Sequence, residues 1–253
     1  MIIMRRIIIA FSTLALTACA IDDPPAGTSA GAGDARAAAT SPDTAPSARP
    51  AVTAAATADR IVLFVGTSLT AGYGVGEDAA YPALLQQRVD AAGLPFRIVN
   101  AGISGETSAG GLRRIDWSLQ QPTDVLVLEL GANDGLRGLP VDQLRANLDE
   151  IVERTRAAYP DVEIVLLGME APPNLGDDYT AAFRAVFAEL ADEHDAALVP
   201  FLLDGVAAQP SLNIVDGIHP NEAGHRVVAG TIWQVLEPVL RRRAAQPPSS
   251  DAS

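Results

Sequence analysis

IVLFVGTSLTAGYGVG, residues 61–76, decides the fold. Its first five residues are apolar and mostly β-branched, and they run without a polar break into Gly66, Thr67 and Ser68. That is the pattern of a strand buried on both faces that ends in a tight turn. Where a parallel strand hands over to a helix, the turn stands at the carboxyl edge of the sheet. Open α/β folds bind ligands there, beside helical N–H groups that favour negative charge. Two roles are open to Ser68 at this position: a nucleophile, or a cap for the helix that follows.

Working outward, strands and helices alternate from Arg60 onward, which predicts an α/β fold with a five-stranded parallel sheet and helices on both faces. Helices are expected over Tyr81–Ala92, Gln143–Ala158 and Tyr179–Glu193, and a last one opens at Asn221 and runs to about Leu240, with Pro238 expected to kink or stop it. The further strands are expected at Phe96–Val99, Val125–Leu130, Ile164–Leu167 and Ala197–Phe201. If all five strands are parallel, the segments after each lie at one edge. Ser68, the glycine-rich loop around Gly105, Asn133 and the pair Asp216 and His219 then converge.

These residue types form a set suited to acyl transfer. A hydroxyl attacking an ester carbonyl needs a base, and histidine titrates near neutral pH, so His219 is the candidate base and Asp216 the group that orients it. The oxyanion would be met by the N–H groups of Ser68 and Gly105 and by the Asn133 amide. Asn133 also has a structural reading as a left-handed turn residue between Gly131 and Gly135, and Asp134 as a cap for the next helix. His194 and His225 read as partly exposed helix histidines, and Trp117 and Trp233 as core or cover.

Composition narrows the chemistry. All 18 basic residues are arginine, so a lysine dyad, a Schiff base and a P-loop lysine are excluded. The net charge of −13 argues against nucleic-acid binding. A single cysteine excludes an internal disulfide, and three histidines show no zinc-ligand spacing. Gly72, Gly74 and Gly76 do not complete a dinucleotide fingerprint, because Glu77 stands where its last glycine would be.

The text of the four loops, GTSLTAGYG, ISGETSAGG, LELGANDGLRGLP and DGIHPNEAGH, resembles the sequence blocks of the SGNH or GDSL hydrolases over about residues 60–240. It is similar to their bacterial arylesterase and thioesterase/lysophospholipase branch. The resemblance implies a flavodoxin-like three-layer α/β/α sandwich, no cofactor and no metal, and hydrolysis of acyl esters or thioesters through an acyl-serine. It assigns the nucleophile to Ser68, oxyanion donors to Gly105 and Asn133, and the remaining pair to Asp216 and His219. One departure stands out: the family's Gly-Asp-Ser reads Gly66-Thr67-Ser68 here. Carbohydrate O-deacetylation and a silent ligand-binding role are the alternatives.

The ends of the chain carry a different signal. Arg5 and Arg6 precede an apolar run that is too short to span a bilayer, and Leu16-Thr17-Ala18-Cys19 resembles a lipobox, so residues 1–19 are expected to be a lipoprotein signal with Cys19 lipidated. Residues 20–59, rich in Ala, Pro, Thr and Ser, are expected to be a disordered tether with an average reach of roughly 35 Å. The hydrolase domain is expected over 60–243 and a disordered tail over 244–253. The expected location is outside the cytoplasm, periplasmic or cell-surface, on a membrane through the lipid anchor, with a small acyl ester as substrate.

Overall fold

The computed structural model describes residues 60–247. The expected signal, Cys19 and the tether lie outside the described residues, as do 248–253.

Strand β1, Arg60–Gly66, is buried along its whole length, as a central parallel strand must be when helices cover both faces. It is followed by the one-turn helix α1, Ser68–Ala71, then α2, Tyr81–Ala91, β2, Phe96–Gly102, and α3, Ser108–Ser118. The second half runs β3, Val125–Glu129; α4, Ala132–Leu136; α5, Val141–Ala158; β4, Glu163–Leu167; α6, Asp177–Glu193; β5, Ala197–Val199; and α7, Glu222–Ala244. The five strands are all parallel in the order β2-β1-β3-β4-β5. Helix α2 packs on α7, while α3 packs on α5 and α5 on α6, so the helices form two sets around the sheet.

This order sends the chain from β1 outward to β2 and then back across β1 to β3. The resulting switch point, at the carboxyl end of β1, is where open α/β sheets bind ligands. In register there, Gly66 pairs with Gly102 on one side and with Glu129 on the other.

Several expectations are corrected. Helix α3 was not foreseen, because Gly110 and Gly111 mask its pattern. Thr107 nevertheless caps it by accepting from the Gly110 N–H, and a Cβ on Gly111 would collide with Leu130, so the glycine serves close packing. Strand β5 stops at Val199 rather than Phe201. Pro238 does not end α7, which continues to Ala244.

The carboxyl end of α7 explains why the expected tail boundary at 244 is too early. Buried Arg60 binds Asp124 at 2.7 Å and donates to the carbonyls of Arg243, Gln246 and Pro247. Arg243, 1% exposed, also reaches Asp124 at 3.0 Å. Buried charges are tolerated when paired and hydrogen-bonded, and this cluster ties residues 244–247 to the start of β1.

Candidate active site

Thr67, extended at φ −98°, is the cap of α1, and its hydroxyl accepts the Leu69 N–H. The capping role open to Ser68 therefore belongs to its neighbour, and Ser68 is the first helical residue. Its Oγ stands 2.9 Å from Nε2 of His219, and Nδ1 of His219 stands 2.6 Å from Oδ2 of Asp216. The other Asp216 oxygen accepts the N–H groups of His219 and Ile218 at 3.0 and 2.9 Å. Those two backbone donors, His219 foremost, hold the Asp216 carboxyl down to about 2. An ionised Asp216 takes the Nδ1 proton as a hydrogen bond, which leaves Nε2 as an acceptor facing the serine hydroxyl. Tyr73 lies against the imidazole with ring centroids 4.6 Å apart.

The other two expected site residues come from the segments after β2 and β3. Gly105 has φ +79°, a conformation that suits glycine, and its carbonyl accepts from Arg137 at 3.0 Å. Asn133 lies in α4 without a positive φ, so the turn reading of this residue does not hold. Its Nδ2 donates to the Glu106 carbonyl at 3.0 Å, and an amide nitrogen has a second hydrogen to give. The Ser68 and Gly105 N–H groups make no hydrogen bond among the described residues.

Asp134 does not cap the following helix. It accepts the Ser108 N–H at 2.9 Å and the Ser108 hydroxyl at 2.6 Å, joining the start of α3 to α4 behind the loop that carries Gly105.

Ser68, Asn133 and His219 line a cleft of about 420 Å³. Its walls are mostly apolar, among them Leu136, Met169, Phe201 and Ile218, and Glu170 is the one acidic residue lining it. Gly105 adjoins the site through Glu106 but does not line this cleft.

The other histidines are more buried than expected. His225, 1% exposed, accepts the Tyr81 N–H at Nδ1, and burial lowers it to about 4, so it is a neutral core residue. His194 is buried and bonded to Asp149 at 2.7 Å. Trp117 is largely exposed rather than core or cover. Among the described residues no group of three or more His, Cys, Asp or Glu side chains could hold a metal ion.

Two residues escaped sequence reasoning. Tyr73 gave no signal beyond its place in a loop. Glu129 did give one, as the only charge in the strand run VLVLEL. Its side chain is fully buried beneath Thr67 and Thr70. Burial pushes its carboxyl up to about 7, although hydrogen bonds from both threonines pull the other way.

The model of the GDSL-like lipase/acylhydrolase family matches residues 64–227, a span that contains all of these loops. This chain belongs to that family. Among its relatives, the esterase TesA of Pseudomonas aeruginosa is 41% identical over 184 residues, 72% of this chain and 90% of the relative. The thioesterase 1/protease 1/lysophospholipase L1 of Escherichia coli is 40% identical over 188 residues, 74% and 87% of the two chains. The crystal structure of the esterase EstA from Pseudoalteromonas sp., inhibited by monoethylphosphonate, superposes with a TM-score of 0.68 at 33% identity. It covers 72% of this chain and 100% of its own. The GDSL fold therefore spans β1 to α7 here.

Proposed function

We propose that this chain is a serine ester hydrolase that cleaves carboxylic esters through an acyl-serine intermediate. The observation that carries the reading is the continuous hydrogen-bonded chain from Ser68 Oγ through His219 to Asp216. His219 Nε2 takes the hydroxyl proton as Oγ attacks the carbonyl carbon, and Asp216 stabilises the imidazolium that forms. The carbonyl electron pair moves to oxygen, where the Ser68 and Gly105 N–H groups and the second Asn133 amide hydrogen are the donors for it. When the tetrahedral intermediate collapses, the imidazolium gives its proton to the leaving alkoxide, and the acyl group stays on Ser68. Water, activated by the same imidazole, then releases the carboxylic acid and restores the serine.

The apolar lining of the cleft supports acyl chains of short to medium length over a sugar, for which Ser68, Asn133, Glu170 and His219 would be the only polar side chains to hand. Thioesters and lysophospholipids share the same scissile acyl carbonyl and belong to the substrate range to be compared. The test is turnover of p-nitrophenyl acetate, butyrate, octanoate and palmitate by wild type and by Ser68→Ala. The reading requires hydrolysis by the wild type with a preference below palmitate, and loss of nearly all of it in the variant. Normal turnover by Ser68→Ala places the nucleophile elsewhere.

The lipobox text around Cys19 supports an exported, membrane-tethered enzyme, periplasmic or cell-surface. Full-length protein is then expected in the membrane fraction and Cys19→Ser in the soluble one, because lipidation requires the thiol. Unchanged membrane association of Cys19→Ser contradicts the tether.

A further inference from the structure

Glu129 is unusual in its setting, a carboxyl at the end of a buried strand whose other residues are all apolar. A residue present only for stability would more readily be apolar here, since burying a carboxyl costs free energy that hydrogen bonds must offset. The hydrogen bonds it makes are specific. Oε2 accepts the Thr67 N–H at 2.8 Å, the Thr70 hydroxyl at 2.7 Å and the Thr70 N–H at 3.3 Å. The Thr67 hydroxyl stands 3.0 Å from both carboxyl oxygens. Tyr81 extends the group by a 2.5 Å contact with the Thr70 hydroxyl.

These contacts divide the N–H groups of the nucleophile turn. Thr67 and Thr70 give theirs to Glu129, and Leu69 gives its own to the Thr67 hydroxyl at 3.4 Å. Of the four consecutive N–H groups from Thr67 to Thr70, only that of Ser68 has no acceptor within the described residues. Gly66 makes the arrangement possible. A Cβ there would lie 2.0 Å from the Thr70 hydroxyl and 2.8 Å from Glu129 Oε2.

We propose that Glu129 is a positioning residue for the reaction, clamping the N–H groups on either side of Ser68 so that the Ser68 N–H remains the turn's one donor for the oxyanion. It rests on the serine-hydrolase reading and adds a residue that touches no substrate. Without the carboxyl, two buried N–H groups lose their acceptor, and the turn must tilt to find another or leave them unpaired. Either response moves the Ser68 N–H, and an oxyanion donor acts on the transition state more than on bound substrate.

The experiment compares wild type, Glu129→Gln and Glu129→Leu in the full chain. It reads kcat and KM on p-nitrophenyl butyrate, affinity for an alkyl trifluoromethyl ketone, which forms a tetrahedral oxyanion adduct, and Ser68 labelling by a fluorophosphonate. Glu129→Leu is expected to lower kcat by about 10²-fold or more and to weaken the ketone by a similar factor, with KM within about threefold. Glu129→Gln, which keeps an acceptor oxygen, is expected to stay within about tenfold of wild type. Folded Glu129→Leu with wild-type kcat and ketone affinity, or with its loss confined to KM, overturns the proposal. So does folded Glu129→Gln as impaired as the leucine variant. If Glu129→Leu does not fold, amide exchange on the wild type decides: the Thr67 and Thr70 N–H groups must be protected and that of Ser68 exchange faster, and equal protection overturns the clamp. A wild type that the fluorophosphonate does not label at Ser68 defeats the hydrolase reading itself. Intact labelling with insensitivity at Glu129 defeats only this inference.

Discussion

The side-chain amide of Asn133 donates to the Glu106 carbonyl at 3.0 Å, which fastens α4 to the glycine loop 27 positions earlier in the chain. One bond thereby fixes two of the three groups assigned to the oxyanion relative to each other. Because Asn133 is helical, glycine has no conformational advantage there. Asn133→Ala and Asn133→Gly are both expected to lose about 10²–10³ in kcat, equivalent to ~2.7–4 kcal/mol, with a smaller change in KM. Steady-state kinetics and thermal melts check this. A glycine variant with full activity removes Asn133 from the oxyanion donors.

Asp216→Asn separates orientation from charge. Its carbonyl oxygen can still accept the Ile218 and His219 N–H groups, but its amide then faces Nδ1 and favours the wrong imidazole tautomer. By analogy with the serine protease triad, kcat is expected to fall by about 10⁴. The carboxyl held down to about 2 contributes stability above its ordinary value of 3.8 that is lost as pH falls through 2. Chemical unfolding of Asp216→Asn between pH 2 and 4 should lack that dependence.

Glu129 has the opposite sign. Its proton is retained up to about 7 in the folded protein, against 4.5 when unfolded, so its contribution is fully present below pH 4.5 and is lost as pH rises through 7. The loss amounts to about 3 kcal/mol. His225, held neutral down to about 4, acts the other way, contributing above 6.5 and losing that contribution as pH falls toward 4. The informative quantity is therefore the difference between wild type and Glu129→Gln in chemical unfolding. Wild type should lose ground to the variant steadily from pH 4.5 to 7 and no further above about 8. A flat difference would mean that Glu129 is ionised throughout.

The cleft predicts chain-length selectivity. Ala207 lines it together with Phe201 and Leu203, and a tryptophan there takes up space in the apolar cleft while Ser68, Asn133 and His219 stay unsubstituted. Ala207→Trp is expected to lower kcat/KM for p-nitrophenyl octanoate at least about tenfold relative to acetate, as loss of several buried methylenes would. An unchanged ratio puts the acyl chain elsewhere.

Much of this was legible in the chain because buried parallel strands announce themselves as apolar runs and because each run ends in a distinctive loop. The run before Gly66 placed Ser68 at the switch point, and the parallel order brought Asn133, Asp216 and His219 to the same edge. Helix α3 was hidden because glycine stands where it packs closely on the Leu130 side chain, and local propensity penalises glycine in a helix. The core status of His225 depends on α7 packing against α2, a long-range contact with no local trace. Thr67 looked like a lost carboxylate, and only the register of β1 with β3 reveals that Glu129 supplies one to the same turn.

If Ser68 is the nucleophile, peptide mapping after reaction with a fluorophosphonate finds the adduct on it. The adduct forms when the nucleophile's oxygen displaces fluoride from phosphorus, so its position identifies the attacking atom. One adduct per chain is expected, on the peptide that contains Ser68, absent in Ser68→Ala and greatly slowed in His219→Ala. An adduct on any other residue, or labelling of Ser68→Ala at the wild-type rate, would contradict it.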